Sequence, residues 1–181
     1  MRGVSAILAS MASNVEIKAR VPDLDAVEAR ARAIATQGPE DIAQDDTFFR
    51  SPKGRLKLRE LGDGQGQLIH YWRADEAGPK VSDYVISATP DPATLREALS
   101  RSMGILGRVV KRRRLYLVGR TRIHLDRVEG LGTFVELEVV LAQSEPAEKG
   151  EAEADDIMRQ LGIERAQLVT GAYLDLLQRS K

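Results

Sequence analysis

The sequence predicts a mainly β protein of the α+β class: a closed eight-stranded antiparallel β-barrel, or tunnel, with a polar lumen and helices packed outside. Three observations lead there. Charged side chains keep to one parity in four segments, 14–20, 55–59, 120–126 and 134–139. Turn signals punctuate the alternating segments at short intervals. Four stretches of helical periodicity carry apolar stripes that need a surface to cover.

In an extended chain, residues i, i+2 and i+4 share a face. Glu16, Lys18 and Arg20 therefore oppose Val15, Ile17 and Ala19, and Arg55, Lys57 and Arg59 oppose Leu56 and Leu58. A half-buried sheet with its polar face in water also alternates, but its exposed face usually mixes signs. Arg55, Lys57 and Arg59 repel one another unless an anion lies between them. Facing inward, such strands build a lumen of Arg and Lys with carboxylates at Glu16, Asp126, Glu136 and Glu138. That chemistry suits a polyphosphate with a divalent metal.

Taken in order, strands are expected at 14–21, 44–50, 55–60, 67–74, 81–87, 108–118, 121–128 and 133–141. Ser51-Pro-Lys-Gly54, Gly62-Asp-Gly-Gln-Gly66 and Glu129-Gly-Leu-Gly132 mark turns, and Val118-Gly119 marks a tight hairpin. Short turns suit an antiparallel meander that closes on itself. The first helix, 23–37, carries Leu24, Val27, Ala31 and Ile34 and stops at Gly38-Pro39. The second, 91–105, is led by Asp91-Pro92 and carries Leu95, Leu99 and Met103. An acidic third helix, 146–161, ends at Leu161-Gly162, and a fourth, 165–178, carries Leu168, Leu174 and Leu177. The apolar strand faces, Val15/Ile17, Leu56/Leu58 and Val135/Leu137/Val139, are what these stripes would cover.

The 181 residues fit one domain, expected over 14–178, with residues 1–13 as a disordered extension. Basic and acidic residues balance at 27 each, which argues against a protein that coats nucleic acid. There is no cysteine, so disulfides, thiolate nucleophiles and Cys-ligated zinc are excluded. The apolar stretch before residue 13 is too short to cross a bilayer. A cytoplasmic protein without a membrane partner is the expectation.

The motifs narrow the function. Asn14-x-Glu16-x-Lys18 opens the first strand, and Gln44-Asp-Asp-Thr-Phe-Phe49, Arg55-Leu-Lys-Leu-Arg-Glu60 and Gly78-Pro-Lys-Val-Ser-Asp83 follow. Then come Lys111-Arg-Arg-Arg-Leu-Tyr-Leu-Val-Gly119, Ile123-His-Leu-Asp126, Gly130-Leu-Gly132 and Phe134-Val-Glu-Leu-Glu138. In that order the set resembles the CYTH superfamily, the triphosphate tunnel metalloenzymes. The first motif is similar to the family's Glu-x-Glu-x-Lys signature, and 111–138 resembles the class IV adenylyl cyclase branch.

The resemblance implies an eight-stranded tunnel that processes a small-molecule triphosphate with Mg²⁺ or Mn²⁺, often as a homodimer. Carried over position by position, it makes Lys18, Arg59, Lys111 and Arg113 the grip on the triphosphate. Arg20, Arg55, Lys57, Arg73, Lys80, Arg120 and Arg122 are supplements. Glu16, Asp126 and Glu136 become metal-binding carboxylates, with Asn14 and Glu138 beside them, and Glu136, Lys111 and Arg113 the residues nearest the chemistry. The implied reactions are cyclisation of ATP to cAMP and pyrophosphate, or hydrolysis of thiamine triphosphate, tripolyphosphate or a nucleotide. A third reading is a binding protein without turnover. Asn14 departs from the signature: an amide still ligates a metal, but it removes one negative charge and predicts weaker divalent-ion binding.

The physical case for the tunnel is independent. A polyanion in a low-dielectric tunnel requires matching cations, Arg offers a bidentate fork and Lys a mobile point charge, and phosphoryl transfer needs positioning rather than a protein nucleophile. Other candidates read more simply. His70 and His124 lack metal-ligand spacing and are expected to be hydrogen-bonded barrel residues. In the run 111–114 only Lys111 and Arg113 share a face. Gly62–Gly66 lacks the Lys-Ser/Thr of a phosphate loop, and Trp72 is expected to pack under a helix.

Overall fold

Eight strands form in a computed structural model that describes residues 12–73 and 80–179. They are β1 (Ala12–Arg20), β2 (Gln37–Phe49), β3 (Arg55–Leu61), β4 (Gly66–Arg73), β5 (Lys80–Thr89), β6 (Ile105–Val118), β7 (Thr121–Val128) and β8 (Gly132–Val140). Every pairing is antiparallel, and the sheet closes in the order β1-β5-β4-β3-β2-β6-β7-β8. The expected extension at 1–13 falls largely outside the described residues, as does the start of the Gly78–Asp83 motif; β1 begins at Ala12.

The barrel is not a simple meander. Strand β1 lies between β5 and β8, and β2 lies beside β6. Helix α1 (Leu24–Ile34) separates β1 from β2, and α2 (Pro92–Met103) separates β5 from β6. A helical connection frees consecutive strands from the neighbour rule that a tight turn imposes.

Local chemistry sets the helix ends. The Asp23 carboxylate accepts from Ala26 N at 2.9 Å and Asp91 from Thr94 N at 3.1 Å, while Pro92 stands where its missing N–H is no loss. Helix α1 stops at Ile34, three residues sooner than periodicity suggests. Gly38-Pro39 does not end it but lies inside β2, where the register with β6 shifts between Gln37 and Glu40. A bulge is where a sheet tolerates proline. Helix α3 (Ala147–Leu161) ends as expected: Gly162 adopts φ 69° and Ile163 N donates to Met158 O at 3.0 Å.

The expected fourth helix is split. Residues Arg165–Gln167 make a single 3₁₀ turn, Leu168 bridges Ala19 on β1, and Val169 N donates to Lys18 O at 3.0 Å. Gly171, at φ 81°, reverses the chain into α4 (Tyr173–Arg179). The leucines that read as one stripe thus serve two clusters: Leu168 packs with the outer core, Leu174 and Leu177 with the inner one.

The outer core sits between the barrel wall and helices α1 and α3. Ile17, Ala19, Tyr116, Ile123, Leu125, Val135 and Leu137 meet Leu24, Val27, Ala31, Ile157, Met158 and Leu161. A second cluster lies inside the barrel. Phe48, Val109, Val128 and Phe134 meet Tyr173 and Leu174, so α4 stoppers one end of the lumen. Helix α2 packs on β2 and β3, and Trp72 on β4 stays 60% exposed rather than helix-covered. His70 is hydrogen-bonded, as expected, with Nε2 2.9 Å from Lys53 O.

Candidate functional site

The barrel's registers convert strand parity into rows of side chains. Lys18 on β1 stands opposite Glu136 on β8, which stands opposite His124 on β7. One step along, Glu16 faces Glu138, which faces Arg122. On the other side Arg113 faces Asp126, Gln44 faces Lys111, and Asp46 faces Arg59. Of these, all but Asp126 line a cavity of about 330 Å³.

Among the described residues six cations line it, Lys18, Lys57, Arg59, Lys111, Arg113 and Arg122, with the carboxylates of Glu16, Asp46, Glu136 and Glu138. The remaining wall differs. Gln67, Ile69 and Tyr71 on β4 and Ser82, Tyr84 and Ile86 on β5 carry no charge. Among the described side chains the lumen therefore has a charged side and an uncharged, partly aromatic side.

Lys18 Nζ lies 3.1 Å from Glu136 Oε1, donates to Gly171 O at 3.2 Å and sits 4.0 Å above the Tyr173 ring. Lys111 Nζ lies 3.4 Å from Asp126 Oδ2 and 4.9 Å from the same ring. Arg113 grips Asp126 with Nε and Nη2 at 2.7 and 2.6 Å and also bonds Glu136. Burial works against each charge, and the neighbours decide the outcome. It would raise the Glu136 carboxyl, but Lys18, Lys111 and Arg113 outweigh it and hold Glu136 well below the carboxylate range. Burial and Arg113 together lower the Lys111 ammonium. Burial raises the Glu138 carboxyl despite Arg122 and Arg113. Burial and Arg113 also push the His124 imidazole well down, so the ring is neutral at physiological pH.

The anion demanded by the cationic strand β3 comes from the protein itself. Asp46, on β2, accepts from Lys57 Nζ at 2.7 Å and from Arg59 Nε and Nη2 at 2.8 and 2.9 Å. Burial opposes its charge, but Arg59 and Lys57 keep it ionised. Burial and Arg59 lower Lys57 to about 7. Asp46 shares a parity with Gln44 and Phe48, so alternation along β2 was the available signal for it.

Three expected lumen cations lie elsewhere. Arg20, at the end of β1, is exposed; it donates to Leu131 O at 2.7 Å and stacks on Phe134. Arg55 reaches Asp175 of α4 at 2.7 Å, so it ties the stopper to the barrel's end. Arg120 belongs to the β6–β7 turn, where strand parity lapses, and it pairs outside with Glu145, just before α3, and with Glu153 of α3. The side chains of Arg73 and Lys80 lie outside what is described; their backbones face Ser82 and Glu16.

The residues expected to bind metal come from β1, β7 and β8. Asp126 is fully buried, and its oxygens accept from Arg113 and from the Tyr173 hydroxyl (2.9 Å), so it anchors Arg113. Glu136 and Glu138 instead group with His124: one ligand atom from each lies within 4.8 Å of the others. Glu16 stands across from Glu138. Asn14 is buried, and its Oδ1 has no hydrogen-bond partner. Two carboxylates, an imidazole and nearby amide and carboxylate oxygens fit a divalent cation. Sequence reasoning missed His124 as a member of this group, and it missed Tyr173, whose place over two lysines no local pattern announces.

The chain is similar to known proteins. The CYTH domain family profile matches residues 12–173. The adenylate cyclase CyaB of Aeromonas hydrophila is 28% identical over 177 residues, covering 92% of this chain and 89% of that protein. A Pyrococcus horikoshii protein structure superposes with a TM-score of 0.80 at 23% identity, over 91% of this chain and 99% of that one. A Hippeastrum adenylyl cyclase homologue with a dominant triphosphatase activity superposes with a TM-score of 0.68 at 16% identity, over 94% and 97%. Among the described residues no helix is long and apolar enough to cross a membrane. The closed antiparallel barrel, its charged lumen and the profile match over nearly all of the described residues agree: the chain belongs to the CYTH domain family.

Proposed function

We propose that the lumen binds a nucleoside triphosphate and converts it to a cyclic nucleotide and pyrophosphate, with ATP as the substrate. The observation that carries this reading is the lumen's two-sidedness among the described side chains. A cationic wall of Lys18, Arg59, Lys111 and Arg113 matches a triphosphate, and the facing wall of Ile69, Tyr71, Tyr84 and Ile86 matches an organic moiety. Inorganic tripolyphosphate would leave that second wall unused, and Ile86 is 42% exposed although it lines the cavity. The 28% identity to an adenylate cyclase supports the same reading.

In this reading Arg113 and Lys111 stabilise charge on the departing pyrophosphate, and Lys18, on the same cationic wall, orients it. Glu136 aligns Lys18 and Arg113, since it bonds both. The carboxylates of Glu16, Glu136 and Glu138 are the groups that would hold Mg²⁺ or Mn²⁺, which when bound supplies charge neutralisation at the phosphoryl oxygens.

The test is product analysis of ATP, thiamine triphosphate and tripolyphosphate incubated with Mg²⁺ or Mn²⁺. The expected products are cAMP and pyrophosphate from ATP. Orthophosphate release would assign the same cradle to hydrolysis, with water in place of the ribose 3′-hydroxyl. Tight ATP binding without turnover would leave a nucleotide-binding protein, and no binding of any of the three overturns the reading.

A further inference from the structure

We propose that His124 Nδ1 joins Glu136 and Glu138 as a ligand of the lumen cation, and that this nitrogen makes the chain select a first-row transition ion over Mg²⁺. The inference deepens the triphosphate reading of the same lumen and rests on it only for the ion's purpose, not for its place.

Geometry points to the site. His124 is only 4% exposed, and its Nδ1 has no hydrogen-bond partner. That atom lies 3.6 Å from Glu138 Oε1, too far for a hydrogen bond but suited to two ligands of one ion. His124 stands directly across from Glu136 in the β7–β8 register, and Glu138 is the next residue on that face. All three groups offer an atom within 4.8 Å of the others. A buried ring nitrogen with nothing to bond is costly to maintain, and a cation between it and the two carboxylates would satisfy it. Asn14 Oδ1, another buried acceptor without a partner, sits on the same face of β1 as Glu16, which faces Glu138.

The carboxylates are not idle. Lys18 lies 3.1 Å from Glu136 Oε1, Arg113 bonds Glu136 Oε2, and Arg122 Nε lies 3.0 Å from Glu138 Oε2. Each carboxylate oxygen has more than one lone pair, so these contacts leave room for a metal bond. They also reduce the net negative charge of the site. A hard ion held by oxygens alone suffers most from that loss, whereas imidazole adds a donor that Mn²⁺, Co²⁺ and Zn²⁺ accept and Mg²⁺ does not favour. Where Asn14 has taken a carboxylate away from β1, His124 on β7 supplies the compensating ligand.

The test needs neither nucleotide nor turnover. Mn²⁺ binding to the whole chain is followed by electron paramagnetic resonance, with Mg²⁺ as competitor, for the wild type and His124→Gln. The expected result is one Mn²⁺ bound at least tenfold more tightly than Mg²⁺. In His124→Gln, Mn²⁺ affinity should fall by tenfold or more while Mg²⁺ affinity changes less than twofold. An independent measurement on the wild type guards against a variant that fails to fold: substoichiometric Mn²⁺ should broaden the ¹⁵N-imidazole signals of His124 and spare those of His70. Equal losses for both ions, or an unbroadened His124, overturn the assignment. Tripolyphosphate titration in EDTA separates the two ideas: binding there with an unbroadened His124 leaves the cradle standing and removes the imidazole ligand. No binding there with a broadened His124 does the reverse.

Discussion

Lys57 Nζ lies 2.7 Å from Asp46 Oδ2 inside the barrel, and both side chains are almost wholly enclosed. The cationic strand β3 thus has its counter-ion on the neighbouring strand β2. Asp46 holds Lys57 and Arg59 together on one carboxylate, which lowers the entropy that a ligand would otherwise have to remove. It also competes for the N–H donors that a polyanion would use.

Replacing Asp46 by Asn should therefore separate folding from binding. Loss of the carboxylate leaves Lys57 and Arg59 buried without a counter-charge and should cost about 3 kcal/mol of stability. Tripolyphosphate should bind the variant more tightly than the wild type when metal is chelated, because nothing negative remains to be displaced. Thermal melts with and without tripolyphosphate measure both; a ligand-induced rise smaller in the variant than in the wild type would refute the competition.

Lys57 should also impose a pH dependence. Burial and Arg59 lower its ammonium from the ordinary lysine value of 10.5 to about 7. Below about 7 the folded protein bears the full penalty of that buried charge, and the penalty is relieved as pH rises toward 10.5, where the unfolded chain also releases the proton. Lys57 therefore adds a component of stability that increases with pH across this window, and Lys57→Met should flatten it. Anion binding favours the charged amine, so triphosphate affinity should fall as pH rises through about 7. Calorimetry at pH 8 in buffers of different ionisation enthalpy should register proton uptake on binding, reduced in Lys57→Met.

Arg112 and Arg113 are adjacent but face opposite sides of the wall: Arg112 is exposed, and Arg113 is buried against Asp126 and Glu136. Arg113→Ala should cost roughly 3–5 kcal/mol of stability, because it strands two buried carboxylates. It should also weaken tripolyphosphate binding by roughly 2–5 kcal/mol. Arg112→Ala should change either quantity by less than about 1 kcal/mol. Denaturant melts and titration of the two variants side by side are sufficient, and equal effects would contradict the assigned faces.

Gly150 lets α3 press against β1. A Cβ there would lie 2.7 Å from Leu141 Cδ2 and 2.8 Å from Val15 Cγ2, and Val15 is fully buried in the wall. Alanine is the better helix former by about 1 kcal/mol, yet overpacking at such distances costs about 1–3 kcal/mol. Gly150→Ala should therefore lower the melting temperature in spite of its helix propensity. A raised melting temperature would show that α3 can move away from β1 at little cost.

The sequence by itself determined the local geometry. Alternation along β1, β3, β6 and β8 assigned Lys18, Lys57, Arg59, Lys111, Arg113 and Glu136 to one face, because the two-residue repeat of an extended backbone needs no tertiary information. The same repeat misplaced Arg20 and Arg120, which lie at a strand end and in a turn, where side-chain direction no longer follows from parity. Tertiary structure alone decided that β1 lies between β5 and β8, which sets Lys18 against Glu136 and Glu16 against Glu138. It alone made Asp46 the counter-ion of β3, placed Tyr173 over Lys18 and Lys111, and joined His124 to Glu136 and Glu138. Strand order depends on how helical connections return the chain to a closing sheet, and such contacts join residues far apart in sequence. A local period carries no record of them.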